Sequence, residues 1–278
     1  MSKGLIEFHE KEHKYVSPEL PGFEWVSITK LIGLLKVPFD PVAMSYKASA
    51  NSRSKWYGMD PIKIQSIWKG ESFRSVSTGS AYHLKREQEL LGMHGKSQVP
   101  IHPPHYIDGV KISQEQELEF GIHPELFIHL KSAGLCGQAD KVYVIDNLVD
   151  IVDYKTSKEI KKESYRDRNG VSQKMLAPVA HLDDCNFMHY ALQLSMYLYM
   201  ILKHNPKLKP GSLILNHILF EVDRMDEFGF PIYVRDADNQ PVVKEIVSYN
   251  VPYLKQECRD IIGWWTSIKD RLRQNERI

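Results

Sequence analysis

The sequence predicts an α/β fold in which a mixed sheet is flanked by helices. Three observations predict it. Two runs rich in Val, Ile and Tyr flank Asp146-Asn147, as strands joined by a two-residue turn do, because Asp and Asn both tolerate positive φ. Residues 186–204 form a long, strongly apolar segment with the length of a helix rather than a strand. Residues 253–274 carry Ile261, Trp264, Trp265 and Ile268 at helical spacing, so strand-like and helix-like stretches alternate along the chain.

Taken in order, residues 4–16 read as a β-hairpin. Ser27 or Thr29 caps a helix over 31–36, which Pro38 ends. Residues 40–75 place Trp56 and Trp68 on helices. Thr78 caps a helix over 81–91. Residues 94–112, with His102-Pro103-Pro104-His105, read as an irregular loop, and 114–120 as a short helix or strand. A strand over 125–131 leads into the hairpin around Asp146-Asn147. Residues 157–184 are polar and loop-like, 186–204 are helical, 212–222 and 232–234 are strands, and 253–274 close the chain as a helix.

Length and charge bound the function. The 278 residues make one domain, with 1–75 as a hairpin and helical extension and 76–278 as its core. A net charge of +1 excludes nucleic-acid binding through bulk charge and leaves only a local basic surface. Cys136, Cys185 and Cys258 lack CxxC spacing, which predicts free thiols in a reducing compartment. No apolar run spans a membrane and no signal peptide opens the chain, so the expectation is a cytoplasmic, non-secreted protein with no membrane partner.

The chemistry concentrates in the hairpin. A two-residue turn at Asp146-Asn147 sets Ile145 opposite Leu148 and carries Asp140 opposite Asp153. Facing carboxylates repel, and a divalent cation turns that penalty into a site. Lys155, two residues past Asp153, projects from the same face. Two hard oxygen donors beside an ammonium are what phosphodiester hydrolysis needs.

These residues belong to a series: His83 within Thr78-Gly79-Ser80-Ala81-Tyr82-His83, Gly137-Gln138-Ala139-Asp140, Asp153-Tyr154-Lys155, and Gln193-Leu194-Ser195-Met196-Tyr197. In this order they resemble the PD-(D/E)XK nucleases, specifically the RecB-like, phage-type exonuclease branch, over roughly residues 5 to 205. The resemblance implies a restriction-endonuclease-like core. It implies catalysis by Asp140, Asp153 and Lys155, and Mg2+ or Mn2+ held by Asp140, Asp153 and the Tyr154 carbonyl. It implies that His83 is a ligand of a second metal or a phosphate-positioning group, with Glu125 either a further acidic ligand, directly or through water, or an ordinary strand-end charge; a His ligand suits Mn2+ better. Three cysteines are too few for the iron–sulfur subgroup.

Gln193 and Tyr197, four apart on the apolar helix with His189 on the same face, are expected to hold a DNA strand or brace the hairpin. Arg74, Lys158, Lys162 and Arg166, with Lys161, Arg168 and Lys174, are expected to form a basic rim on phosphates, with Tyr165 as a base-stacking candidate. The expected activity is an end-dependent, metal-dependent deoxyribonuclease favouring single strands, acting in recombination, repair or replication with DNA and with replication or recombination proteins as partners. The alternatives are a non-catalytic nucleic-acid-binding module and a DNA endonuclease. His9-Glu10-Lys11-Glu12-His13 matches the zincin pattern HExxH, but that motif works only on a helix, and its neighbours are strand-like.

Overall fold

The computed structural model describes residues 6–9, 12, 14–113 and 116–275. The fold is α/β, with a mixed six-stranded sheet flanked by helices. Its strands are β3 (Val26–Ser27), β6 (Gly121–Leu130), β7 (Leu135–Ile145), β8 (Leu148–Lys155), β9 (Lys209–Phe220) and β12 (Val243–Asn250). The hairpin register is the expected one: Ile145 pairs with Leu148, and Asp146 and Asn147 turn at φ of 50° and 62°. Next, β8 runs parallel to β9, and β9 antiparallel to β12.

β6 covers one edge of β7 from Leu135 to Val144. The other edge is shared: β8 pairs with Lys141–Ile145, and β3 pairs in parallel with Leu135 and Cys136. Between them, residues 137–140 form a notch with no ladder partner on that side among the described residues. The expected pairing of Asp140 with Asp153 therefore falls one step beyond the last paired residues, Lys141 and Val152.

The helices pack on both faces. Ser27 caps α1 (Ile28–Gly33), its hydroxyl accepting from Lys30 N, so the helix starts three residues earlier than the sequence suggests. α4 (Asn186–His204) buries Leu192, Leu194, Met196 and Leu198 in the main core with Val149 and Ile151 of β8. The next β8 residues of opposite parity, Val152 and Tyr154, pack instead with Tyr82 and Phe220. α5 (Lys255–Asn275) closes that main core through Cys258 and Ile261. All three cysteines are buried and free.

Several expectations are corrected. α2 (Pro41–Ala50) and α3 (Pro61–Leu91) frame Trp56 in a turn rather than on a helix, while Trp68 is helical. Thr78 caps nothing. It lies inside α3, which Asp60 caps by accepting from Ile62 N, and His83 consequently sits deep in a 31-residue helix. The stretch 94–112 is not all loop: β4 (His105–Ile107) and β5 (Val110–Ile112) form a hairpin. With β1 (Glu7–His9) and β2 (Lys14–Val16), they build a second sheet ordered β2-β1-β5-β4. Residues 116–120 form no helix or strand. β10 (Val222–Met225) and β11 (Pro231–Tyr233) make a small separate ribbon, and β12 was not anticipated.

His9 stands on a strand and meets Glu7 Oε2 at 3.0 Å, which removes the helical geometry the zincin pattern requires; Glu10, Lys11 and His13 lie outside the described residues. Among the described residues, no helix is long and apolar enough to cross a membrane.

Candidate functional site

The notch in β7 opens into a cavity of about 800 Å³. Its walls come from β6, β7 and β8, the middle of α3, the inner face of α4, Ser27 and Thr29 at the start of α1, and the smaller sheet, through Phe8, Tyr15 and Lys111. His83, Glu125, Asp140, Asp153, Lys155, Gln193 and Tyr197 all line it. Sequence motifs spread over more than a hundred residues thus converge on one hollow.

Asp140 is the hub. Its Oδ2 accepts from the Tyr154 N–H at 2.7 Å, so a side chain replaces the missing ladder bond across the notch. Its Oδ1 lies 3.3 Å from His83 Nδ1. His83, Glu125 and Asp140 each offer one ligand atom, and these atoms lie within 4.8 Å of one another. Asp153 is not a member of that trio. Its Oδ2 lies 2.5 Å from Lys155 Nζ, and the Lys155 ammonium also stands 5.0 Å from the centroid of the Tyr190 ring.

Glu125 reaches the trio at a backbone cost. It sits mid-strand at φ 45°, a left-handed conformation that is uncommon for residues other than Gly, Asn and Asp and is costly within a strand. The β6–β7 register is the same on either side of it, so the distortion is confined to this residue. Lys111 Nζ stands 3.6 Å from Glu125 Oε2 and donates to Gln138 Oε1 at 3.1 Å. Lys111 escaped sequence reading because its strand lay in a stretch taken for loop; the Asp108-Gly109 turn was the available signal.

Two glycines exist for contact. A Cβ on Gly137 would stand 2.6 Å from Tyr197 Cε1, and one on Gly79 would stand 3.0 Å from Thr156 Oγ1. At these two points the glycine lets α4 and α3 approach the site strands more closely than a side chain would allow. Gln193 Nε2 donates to the Tyr197 hydroxyl at 3.1 Å, so this pair braces β7 from above. His189 does not join them; its Nε2 meets Asp184 Oδ1 at 2.7 Å.

The expected basic rim does not form at the cavity. Arg74 pairs with Glu71 and Asp226. Lys158 reaches Glu71 Oε1 at 3.1 Å and lies 4.2 Å from the Phe230 ring centroid. Lys162 lies over Phe187 and Tyr249, and Arg166 pairs with Glu163 at 3.8 Å. None of the four lines the cavity, because each is satisfied by a local carboxylate or ring. Tyr165 is exposed and away from the cavity lining.

In the site, burial works against ion pairing. Burial, reinforced by Asp140, pushes Glu125 up to about 7. Burial pushes Asp153 up to about 6 against the pull of Lys155. Burial works against the charged imidazole of His83, yet its bond to Asp140 carries it up to about 9. Burial opposes ionisation of Asp140 as well, but His83 holds its carboxyl below the ordinary range.

These shifts fix a pH dependence. Glu125, Asp153 and His83 each hold a proton in the folded state at pH values where the unfolded chain has released it. Where the native state binds more protons, unfolding free energy falls as pH rises. In chelator, the melting temperature is expected to decline from pH 7 to pH 9; below that interval the decline is opposed by the Asp140 shift and by the buried imidazoles of His123, His129 and His189, whose pKa values burial lowers. A melting temperature that rises over that interval rejects this electrostatic picture; thermal melts at fixed ionic strength measure it.

No protein-family model matches the chain, and no curated protein or solved structure matches it.

Proposed function

We propose that the chain is a divalent-metal-dependent DNA exonuclease with a PD-(D/E)XK site. The observation that carries the reading is the convergence of His83, Glu125 and Asp140 with the Asp153–Lys155 pair on one cavity. The donor set fits the ion. Two carboxylate oxygens suit Mg2+ or Mn2+, and the imidazole favours Mn2+. The strained backbone of Glu125 and the crowding of its carboxylate against Asp140 are what a bound cation would offset.

His83, Glu125 and Asp140 would hold the metal, with Asp153 and the Tyr154 carbonyl beside them. The bound ion supplies Lewis acidity at phosphate and a lowered pKa for attacking water. Lys155 is held protonated: burial opposes its charge, but Asp153 and Asp140 raise its pKa more strongly. It therefore acts as a donor, orienting water and neutralising charge that develops on the phosphate oxygens, and not as the base. Asp153 keeps that ammonium in place. Gln193 and Tyr197 fix the position of β7 beneath the scissile phosphate. A cavity of about 800 Å³ has the dimensions of small-ligand pockets and suits the end of one strand better than a duplex.

The test is digestion of end-labelled linear single-stranded DNA in Mg2+ or Mn2+, beside closed circular single-stranded DNA, a chelator control and the K155A protein. Metal-dependent loss of the linear substrate alone is the expected result. Absence of cleavage with every metal rejects the catalytic reading, and cutting of closed circles rejects the exonuclease reading. Metal binding also has its own signature. His83 and Glu125 must release protons to become ligands, so Mn2+ affinity measured calorimetrically is expected to rise from pH 6 to pH 8. A pH-independent affinity removes both residues from the ligand set.

A further inference from the structure

The cavity wall contributed by α3 continues outward as an exposed stripe. Ile62, Lys69, Phe73, Val76, Ser80 and Leu84 follow a spacing of three, four or seven residues, so they share one face of the helix. Phe73 is 76 % exposed, Ile62 71 %, Val76 64 % and Leu84 54 %. Val76, Ser80 and Leu84 already line the cavity beside His83. Phe73 lies about one turn further out, and the stripe from Ile62 to Leu84 is about 33 Å long at the helical rise. Large apolar side chains left in water along a helix mark a surface that something covers.

The charge around the stripe says what. Residues 41–75 hold six basic side chains (Lys47, Arg53, Lys55, Lys63, Lys69, Arg74) and two acidic ones (Asp60, Glu71), a local charge of +4 in a chain of net +1. Both acids are occupied: Asp60 caps α3, and Glu71 is held by Arg74 and Lys158. Lys47, Lys63 and Lys69 are exposed. The same arm presents Tyr46 and Tyr57, which are 60 % and 63 % exposed. Exposed aromatic rings interleaved with cations suit a strand that offers bases to stack and phosphates to neutralise. A second copy of this chain docking on the same face would set +4 against +4, which like-charge repulsion opposes.

We propose that the α2–α3 arm is a stacking platform for single-stranded nucleic acid, with Phe73 as its principal base-stacking residue, and that it leads the strand along α3 into the cavity. The destination of the strand rests on the nuclease reading; the platform rests on the surface itself.

Binding of a fluorescent oligothymidylate, followed by anisotropy in chelator with the K155A protein so that nothing is cut, tests it. Phe73→Ala, at a site already exposed, is expected to weaken binding about 5- to 100-fold. Lys63→Gln and Lys69→Gln are each expected to flatten the salt dependence by about 0.7 in log–log slope. Affinity and salt slope unchanged in all three variants overturn the proposal. So does failure of the parent protein to bind the strand, and so does a Phe73→Ala change that dissolves a dimer while leaving DNA affinity intact. Cleavage by the unmodified chain in Mn2+ is scored separately. Cleavage without arm-dependent binding leaves the nuclease standing and removes the platform. Binding that depends on Phe73, without cleavage, does the reverse.

Discussion

Replacing Lys155 with Ala is expected to lower the DNA cleavage rate about 10³-fold while leaving Mn2+ binding in place. The ammonium contacts Asp153 at 2.5 Å, and it is held charged by the two aspartates despite its burial. Removing it deletes the donor to the reacting phosphate. It also strands Asp153, whose side chain is 2 % exposed, so that residue takes up a proton more readily. Breaking a buried pair on one side costs about 3–5 kcal/mol; the figure here is smaller, because the Lys155 side chain is 19 % exposed. A loss of activity through unfolding is separable from a loss of chemistry. The double variant Asp153→Asn, Lys155→Met removes both charges together and is expected to recover stability but no cleavage. The decisive comparison is the single-turnover rate of folded K155A protein beside that of the parent. A rate within tenfold of the parent would remove Lys155 from the chemistry.

The sequence carried much of this site because its determinants are local. A two-residue turn with both residues at positive φ fixed the hairpin register from Asp146-Asn147 alone, and that register brought Asp140 beside β8. Ser27 and the apolar run of α4 were legible for the same reason: a cap and a stripe act within a few residues. What failed depended on distant neighbours. Thr78-Gly79 reads as the start of a helix, yet α3 runs through it, because Gly79 is small to admit Thr156 and not to end a turn. Lys111 belongs to the site only because the smaller sheet folds against β7, and no spacing in the chain announces that. Lys158, Lys162 and Arg166 after Lys155 do not line the cavity and each has a carboxylate or a ring nearby, whereas the exposed aromatic and basic surface lies before the first motif, on α2 and α3.

The Gly137→Ala variant is expected to lose about 1–3 kcal/mol of stability, the usual cost of overpacking a filled interior. Ala is ordinarily the better residue in a strand, since it restricts the unfolded chain, and the φ of Gly137 is not in the left-handed region. Local propensity thus predicts a small gain, and sterics predict a loss. Sterics win because the added methyl would stand 2.6 Å from Tyr197 Cε1, with the Tyr197 Cζ and hydroxyl only 3.3 and 3.2 Å away. That ring is 3 % exposed, packed in the main core on α4, and tied to Gln193, so it has little room to withdraw. The notch transmits the strain to the site, since Gly137 and Asp140 share the edge of β7 that has no ladder partner among the described residues. Tyr197→Leu in the Gly137→Ala background removes the clash. The double variant is therefore expected to be more stable than the two single losses added together, a coupling of about 0.5–3 kcal/mol by double-mutant cycle. Additive losses would mean that the helix does not rest on this glycine, and the bracing role given to Gln193 and Tyr197 would fall with it.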